Sequence, residues 1–220
     1  MKIWFNQTMK ENKGLFLFII LMSVFRSGVA DWNVVPTGSM KPTILEGDRI
    51  LVNKMAYDIR IPFTHISLIK RSDPERGDIV IFDSAQSDKR LVKRVIGVPG
   101  DIVEMTNNVL TINGQNITYH DVALSGDDID KVENLMGSKH LIRINEAGNK
   151  YFSTFKAVSV PENHYLVLGD NRDNSADSRV IGFVPRDEIV GRSRDVVLSL
   201  NYDNFYMPRP ERFFHSLDAD

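Results

Sequence analysis

Cysteine is absent from this chain. Disulfides, a thiolate nucleophile and a cysteine-bound zinc are therefore excluded. The compartment stays open, since exported proteins also do without disulfides. An excess of one charge is lacking too: 27 basic and 29 acidic residues leave a formal net charge of -2. No global field would gather nucleic acid, and none is expected as a partner. There is no fixed-period repeat and no low-complexity tract. The 220 residues can bury a core in one domain, or in one domain carrying an insertion, whereas two independent domains would be tight.

What is present begins with a biased N-terminus. Lys2, Lys10 and Lys13 precede the apolar run Leu15 to Phe25, and positive-inside logic places the N-terminus in the cytoplasm and the remainder outside. The run is short against the roughly 20 residues of a span. Continuing to Ala30 restores the length if Arg26 snorkels at the outer boundary. We expect a cytoplasmic segment at 1–13, one transmembrane helix at 14–30 and an extracytoplasmic domain at 31–220. A cleavable leader competes, because Gly28-Val29-Ala30 offers small residues where a cut would fall. Either way the body is exported.

From Val34 onward, short apolar stretches alternate with glycine, proline and aspartate, the texture of a strand-rich fold. Strands are predicted at 49–53, 78–82, 90–96, 101–105, 109–112, 164–168 and 195–200. Asn107-Asn108 and Asn113-Gly114 are hairpin breaks. Between Ile117 and Lys156 the hydrophobic density falls, and Asp127 to Lys131 is a local charge run. An insertion at about 106–158 is expected. The fold class is mainly β: a barrel-like, β-rich body with a small β insertion, preceded by one N-terminal transmembrane helix.

Three segments could carry chemistry. In Val35-Pro-Thr-Gly-Ser-Met-Lys-Pro-Thr43 two prolines stiffen a small-residue turn around Ser39, and Gly38 lets backbone approach a bound carbonyl. Such a setting suits a serine nucleophile, whose amide neighbours must face a developing oxyanion. Thr37 could add a hydroxyl donor, although an ordinary proline-rich loop would read the same way. A serine needs a base. His65, His120, His140, His164 and His215 lack an obvious orienting carboxylate nearby in sequence, and Gly-x-Ser-x-Gly does not occur around Ser39.

A neutral lysine could serve instead. The period of a strand puts Leu91, Lys93 and Val95 on one face and Arg94 on the other. A lysine snorkelling from an edge strand is the plainer reading of the same pattern. The third segment, Gly169 to Arg179, is dense in aspartate and asparagine, but no register fits a calcium-binding loop, and no metal is expected. A self-bonded loop is predicted, with Arg172 and Arg179 pairing with Asp170, Asp173 or Asp177. Ser175 could orient a neighbouring amine.

Taken together, these segments resemble the signal peptidase I family of Ser/Lys proteases. The resemblance rests on Pro36-Thr-Gly-Ser-Met-Lys-Pro-Thr43, Gly47-Asp48 with Ile50-Leu-Val52, and Arg76-Gly-Asp-Ile-Val80. It continues through Lys93-Arg-Val-Ile-Gly-Val-Pro-Gly-Asp101, Gly169 to Arg179, Gly182-Phe-Val-Pro185 and Val190-Gly-Arg192, all in the family's order. It implies a catalytic pair of Ser39 and Lys93, with Thr37 and the Ser39 amide as oxyanion hole. It also implies that Ser175 orients the lysine, that Asp177 and Arg179 form a supporting ion pair, and that Gly169 and Asp170 belong to the same box.

The resemblance further implies no cofactor, preprotein signal peptides cut after Ala-x-Ala-like sites, and a monomer in the bacterial cytoplasmic membrane with its catalytic domain on the periplasmic side. Only one candidate span is present, which resembles the single-anchor members. A conjugation-type Ser/Lys peptidase of the same clan is an alternative, and a non-catalytic, membrane-tethered peptide-binding β-domain is another. Repressor-type self-cleaving proteases share the chemistry, but here an apolar segment stands where they carry a DNA-binding unit. In the C-terminal stretch, Phe205, Tyr206, Phe213 and Phe214 interleave with basic residues and are candidates for contact with the phospholipid surface.

Overall fold

The computed structural model describes residues 12–147 and 150–217. Most of the expected cytoplasmic segment, with Lys2 and Lys10, lies outside the described residues. The chain enters through helix α1 (Lys13–Gly28), 16 residues long, none of them buried. Among the described residues no helix is long and apolar enough to cross a membrane. At about 1.5 Å per residue α1 is roughly 24 Å long, short of a hydrocarbon layer of about 30 Å.

The body is mainly β. In chain order the first strands are β1 (Ala30–Val34), β2 (Asp48–Asn53), β3 (Asp58–Arg60), β4 (Ser67–Lys70), β5 (Ile79–Ser84) and β6 (Lys89–Gly97). Then come β7 (Ile102–Thr106), β8 (Val109–Ile112), β9 (Gln115–Asn116), β10 (Thr118–Ser125), β11 (Asp128–Leu135) and β12 (Ser138–Asn145). The last are β13 (Phe155–Ser159), β14 (His164–Leu168), β15 (Val184–Pro185), β16 (Ile189–Asn201), β17 (Met207–Pro208) and β18 (His215–Ser216). The main sheet runs β1-β2-β16-β5-β6-β14-β15, while β13-β7-β8-β9 and β10-β11-β12 form two further sheets.

Local chemistry explains the hairpins. Thr106 pairs with Val109 across Asn107-Asn108, and both asparagines have positive φ, at 50° and 63°. Ile112 pairs with Gln115 across Asn113-Gly114, at φ 52° and 78°. Two-residue turns with both centres left-handed match the twist of the flanking strands, and asparagine and glycine reach that region most easily.

Strand β5 is central because it is apolar on both faces. Ile79 and Ile81 pack with Met40, Ile44, Ile50 and Val196, whereas Val80 and Phe82 pack with Val95, Tyr165 and Val167. A strand buried on both sides reads as a continuous apolar run. β5 therefore gives β6 a rigid neighbour, pairing Val80 with Lys93 and Ile79 with Arg94.

Candidate active site

Ser39 sits in a single 3₁₀ turn, Gly38–Met40, entered from Thr37 in extended backbone. Met40 is buried against Ile44 and Ile50, and Gly38 is buried too, so the turn is pinned on both sides of a half-exposed serine. Thr37 is exposed, two residues before Ser39.

Lys93 is 3% exposed. It shares its face of β6 with Leu91 and Val95, and its cross-strand partner is Val80, all in one apolar cluster. Its Nζ donates to Ser39 Oγ at 2.7 Å. Among the described residues no carboxylate comes within ion-pair distance of this amine. Burial brings the pKa down from 10.5 to about 8, against the more distant pull of Asp177 and Asp170, with Arg179 assisting the fall. Desolvation penalises only the charged form, so roughly a tenth of the amine is neutral at pH 7, and about half at pH 8, and can accept a proton.

The loop from Gly169 to Arg179 closes over this pair. Asn171 N donates to Ser39 O at 3.1 Å, and its Nδ2 donates to Gly38 O at 3.0 Å. Asp177 Oδ2 accepts from Gly169 N at 2.9 Å and from Arg179 Nη2 at 2.7 Å. Arg179 also donates Nε to Asp177 Oδ1 at 2.8 Å. That aspartate caps the short helix α2 (Ser178–Ile181) as well. Gly169 is confined: a Cβ there would run into Ser175 Oγ and the Ser39 carbonyl oxygen. Ser175 thus stands beside the serine turn, buried, with its Oγ unpartnered and no hydrogen bond to Lys93.

Two sequence readings need correction. The loop is not mainly self-bonded. Asp170 is taken by Arg94, with Nε to Oδ1 at 2.9 Å and Nη2 to Oδ2 at 2.7 Å, and by Thr43 Oγ1 at 2.6 Å. Burial opposes the ionised carboxylate, but the Arg94 guanidinium holds its pKa below the ordinary value. Arg172 reaches Glu133 on β11 at 2.6 Å, and Asp173 accepts from Asn108 Nδ2 at 3.0 Å. Of the histidines, His140 does have a carboxylate at hand: its Nε2 lies 3.0 Å from Glu133 Oε2, directly across the β11–β12 pairing. Burial depresses its pKa, and Ser39 Oγ takes its hydrogen bond from Lys93, not from a histidine.

Thr43, Arg94, Glu133, His140 and Asn171 were not foreseen as supports. The first signal that could have found them is that Asp170 and Arg172, flanking Asn171, are charges in a loop feeding the site, and each needs an opposite partner once buried. Among the described residues no group of three or more His, Asp or Glu side chains is placed to hold a metal ion.

The family model of signal peptidases, peptidase S26, matches residues 9–198. The signal peptidase I of Pseudomonas aeruginosa is 36% identical over 203 residues, covering 85% of this chain and 71% of that protein. That of Pseudomonas fluorescens is 34% identical over 204 residues with the same coverage. The signal peptidase I of Rickettsia typhi is 36% identical over 216 residues, covering 88% and 82%. With that match over most of its length, the chain belongs to the signal peptidase family, peptidase S26, and is a serine peptidase that removes signal peptides.

Proposed function

We propose that Ser39 is the nucleophile and Lys93 the general base of a Ser/Lys dyad that cuts exported preproteins after Ala-x-Ala-like sites. The observation that carries this reading is the 2.7 Å contact between a buried amine of lowered pKa and the serine hydroxyl. Neutral Lys93 takes the Oγ proton as Ser39 attacks the scissile carbonyl, and the ammonium then returns a proton to the departing amine. The acyl-enzyme is hydrolysed by a water that gives its proton to Lys93 Nζ, now neutral again, and the Lys93 ammonium then passes a proton to Ser39 Oγ as the acid leaves.

Thr37 Oγ1 and the Ser39 amide are assigned to the oxyanion, Ser175 to steadying the lysine, and Asp177 with Arg179 to fixing the loop through Gly169. Asp170 anchors the same loop to β6 through Arg94. The enzyme acts as a monomer and without a cofactor.

The same reading puts α1 and its flanks, residues 14–30, into the cytoplasmic membrane, with residues 1–13 in the cytoplasm and the body on the periplasmic side. What supports it is an apolar helix with no buried residue, since a helix that is hydrophobic over most of its surface wants an apolar surrounding. Phe205 and Phe214 of the C-terminal tail, 93% and 81% exposed, are assigned to contact with the membrane surface on the same grounds. The insertion at about 106–158 carries β8 to β12 and most of β13.

The test is cleavage of a precursor with an Ala-x-Ala site by detergent-solubilised natural enzyme, Ser39→Ala and Lys93→Ala. Cleavage by the natural enzyme alone is expected. Near-normal turnover by Lys93→Ala would mean that another group is the base.

A further inference from the structure

Asn171 holds two carbonyls of the nucleophile turn, those of Gly38 and Ser39, and it lies between two buried charges. On one side Asp170 is bound by Arg94 and Thr43, which belong to the elements that carry the dyad. On the other, Arg172 and Glu133 are each 0% exposed and meet through Nη2 and Oε2 at 2.6 Å, with His140 Nε2 at 3.0 Å from the same oxygen. Glu133 comes from β11, in a sheet that supplies no side chain to the dyad. Backbone joins that sheet to the loop as well: Arg143 N donates to Asp170 O at 2.8 Å, and Arg172 N donates to Arg143 O at 2.9 Å. Arg143 and Asn171 form a parallel bridge.

We infer that Glu133, acting through Arg172, is a positioning residue for the peptidase reaction, fixing Asn171 and with it the backbone of Ser39 from the β10–β12 sheet. The inference rests on the Ser39–Lys93 reading. Fold stability is a poor reason for this pair. A buried ion pair repays its desolvation only when its remaining donors and acceptors are satisfied, and here Glu133 Oε1, Arg172 Nε and Arg172 Nη1 have no hydrogen-bond partner. Apolar side chains of similar size would join sheet to loop at lower cost. What they cannot supply is direction: a short charge-assisted hydrogen bond sets where Arg172 lies along the chain, and therefore where the neighbouring residue presents its two donors. A nucleophile displaced by about 1 Å loses on the order of a hundredfold in rate.

The experiment measures kcat and KM on an Ala-x-Ala precursor at a temperature well below each variant's melting point. Glu133→Gln is expected to lower kcat about tenfold or more, with KM within about twofold of the natural chain. The Glu133→Leu, Arg172→Leu double variant is expected to keep or exceed the natural melting temperature and still lose kcat, which a purely structural role would not produce. Asn171→Ala added to Glu133→Gln is expected to cost little beyond Asn171→Ala alone, because the two act in series.

A folded double variant with natural kcat, or losses for Glu133→Gln and Asn171→Ala that multiply, overturns the inference. So does failure of both Glu133→Gln and the double variant to fold, which would make the pair a stability element. Ser39→Ala and Lys93→Ala run in the same assay keep the readings apart. If either cleaves, the dyad falls; if both are inert while Glu133→Gln is fully active, only the role of Glu133 falls.

Discussion

Replacing Lys93 with methionine keeps the length and bulk of the side chain but removes its proton, and so separates what the amine does for the reaction from what it costs the fold. The amine titrates at 10.5 when unfolded and at about 8 when buried. Below pH 8 both states are protonated and the folded state carries the whole desolvation penalty. Between 8 and 10.5 the unfolded chain binds more protons than the folded one, so stability rises with pH, and above 10.5 the penalty is gone. At about 1.4 kcal/mol per pH unit, the interval corresponds to about 3 kcal/mol at pH 7.

Methionine escapes that penalty but forfeits the hydrogen bond to Ser39, worth about 1 kcal/mol. Lys93→Met is therefore expected to be inactive yet more stable by about 2 kcal/mol at pH 7, raising the melting temperature by roughly 4–8 °C in a chain of this size. The advantage should vanish at about pH 10 and turn into a deficit approaching about 1 kcal/mol above pH 10.5. Thermal or guanidinium melts of both proteins at pH 7 and pH 10.5 measure it. In the natural enzyme, kcat/KM should climb with pH around a midpoint near 8 as the neutral amine forms. A Lys93→Met protein less stable than the natural chain by the same amount at both pH values would refute the claim that desolvation lowers this pKa.

Gly169→Ala forces a methyl group against Ser175 Oγ and the Ser39 carbonyl, and turnover is expected to fall about a hundredfold with KM little changed, read by steady-state kinetics. Asp170→Asn leaves Arg94 buried without its counter-ion; denaturant melts should show a loss of about 3–5 kcal/mol. Exchanging Phe205, Tyr206, Phe213 and Phe214 for serine should weaken binding of a chain lacking residues 1–28 to phospholipid vesicles in a flotation assay, and undiminished binding would remove the tail from the membrane surface.

Strands β7 and β8 were legible because their alternation is clean and asparagine and glycine mark the turns, and β5, β6 and β14 because each is a short run rich in valine, isoleucine and leucine. The Ser39 and Lys93 segments were legible for the same local reason: prolines around a small-residue turn, and a lysine in phase with Leu91 and Val95. Strands β10 to β12 were not, because Asp128, Asp130, Lys131 and Glu133 blur the period that marks a half-buried strand. The partner of Arg94 lies 76 residues away and that of Arg172 lies 39 away, and nothing local encodes such pairings. His140 read as an isolated side chain because its carboxylate neighbour stands on the adjacent strand. Arg172 was assigned to its own loop since sequence offers nearby acids first, whereas burial decided in favour of an acid from another sheet.

Lys93 and Arg94 are consecutive, both 3% exposed, and directed to opposite sides of β6. One side leaves its cation without a counter-ion and the other neutralises it with Asp170. Sliding β6 by one position against β5 would exchange the two environments. A guanidinium would then occupy a dry compartment where it cannot shed its proton, and an ammonium would face Asp170 with no planar fork to grip both oxygens. Mispairing at this strand is thus penalised by charge before shape is consulted, and the alignment that makes a base of Lys93 is also the one alignment the interior can hold.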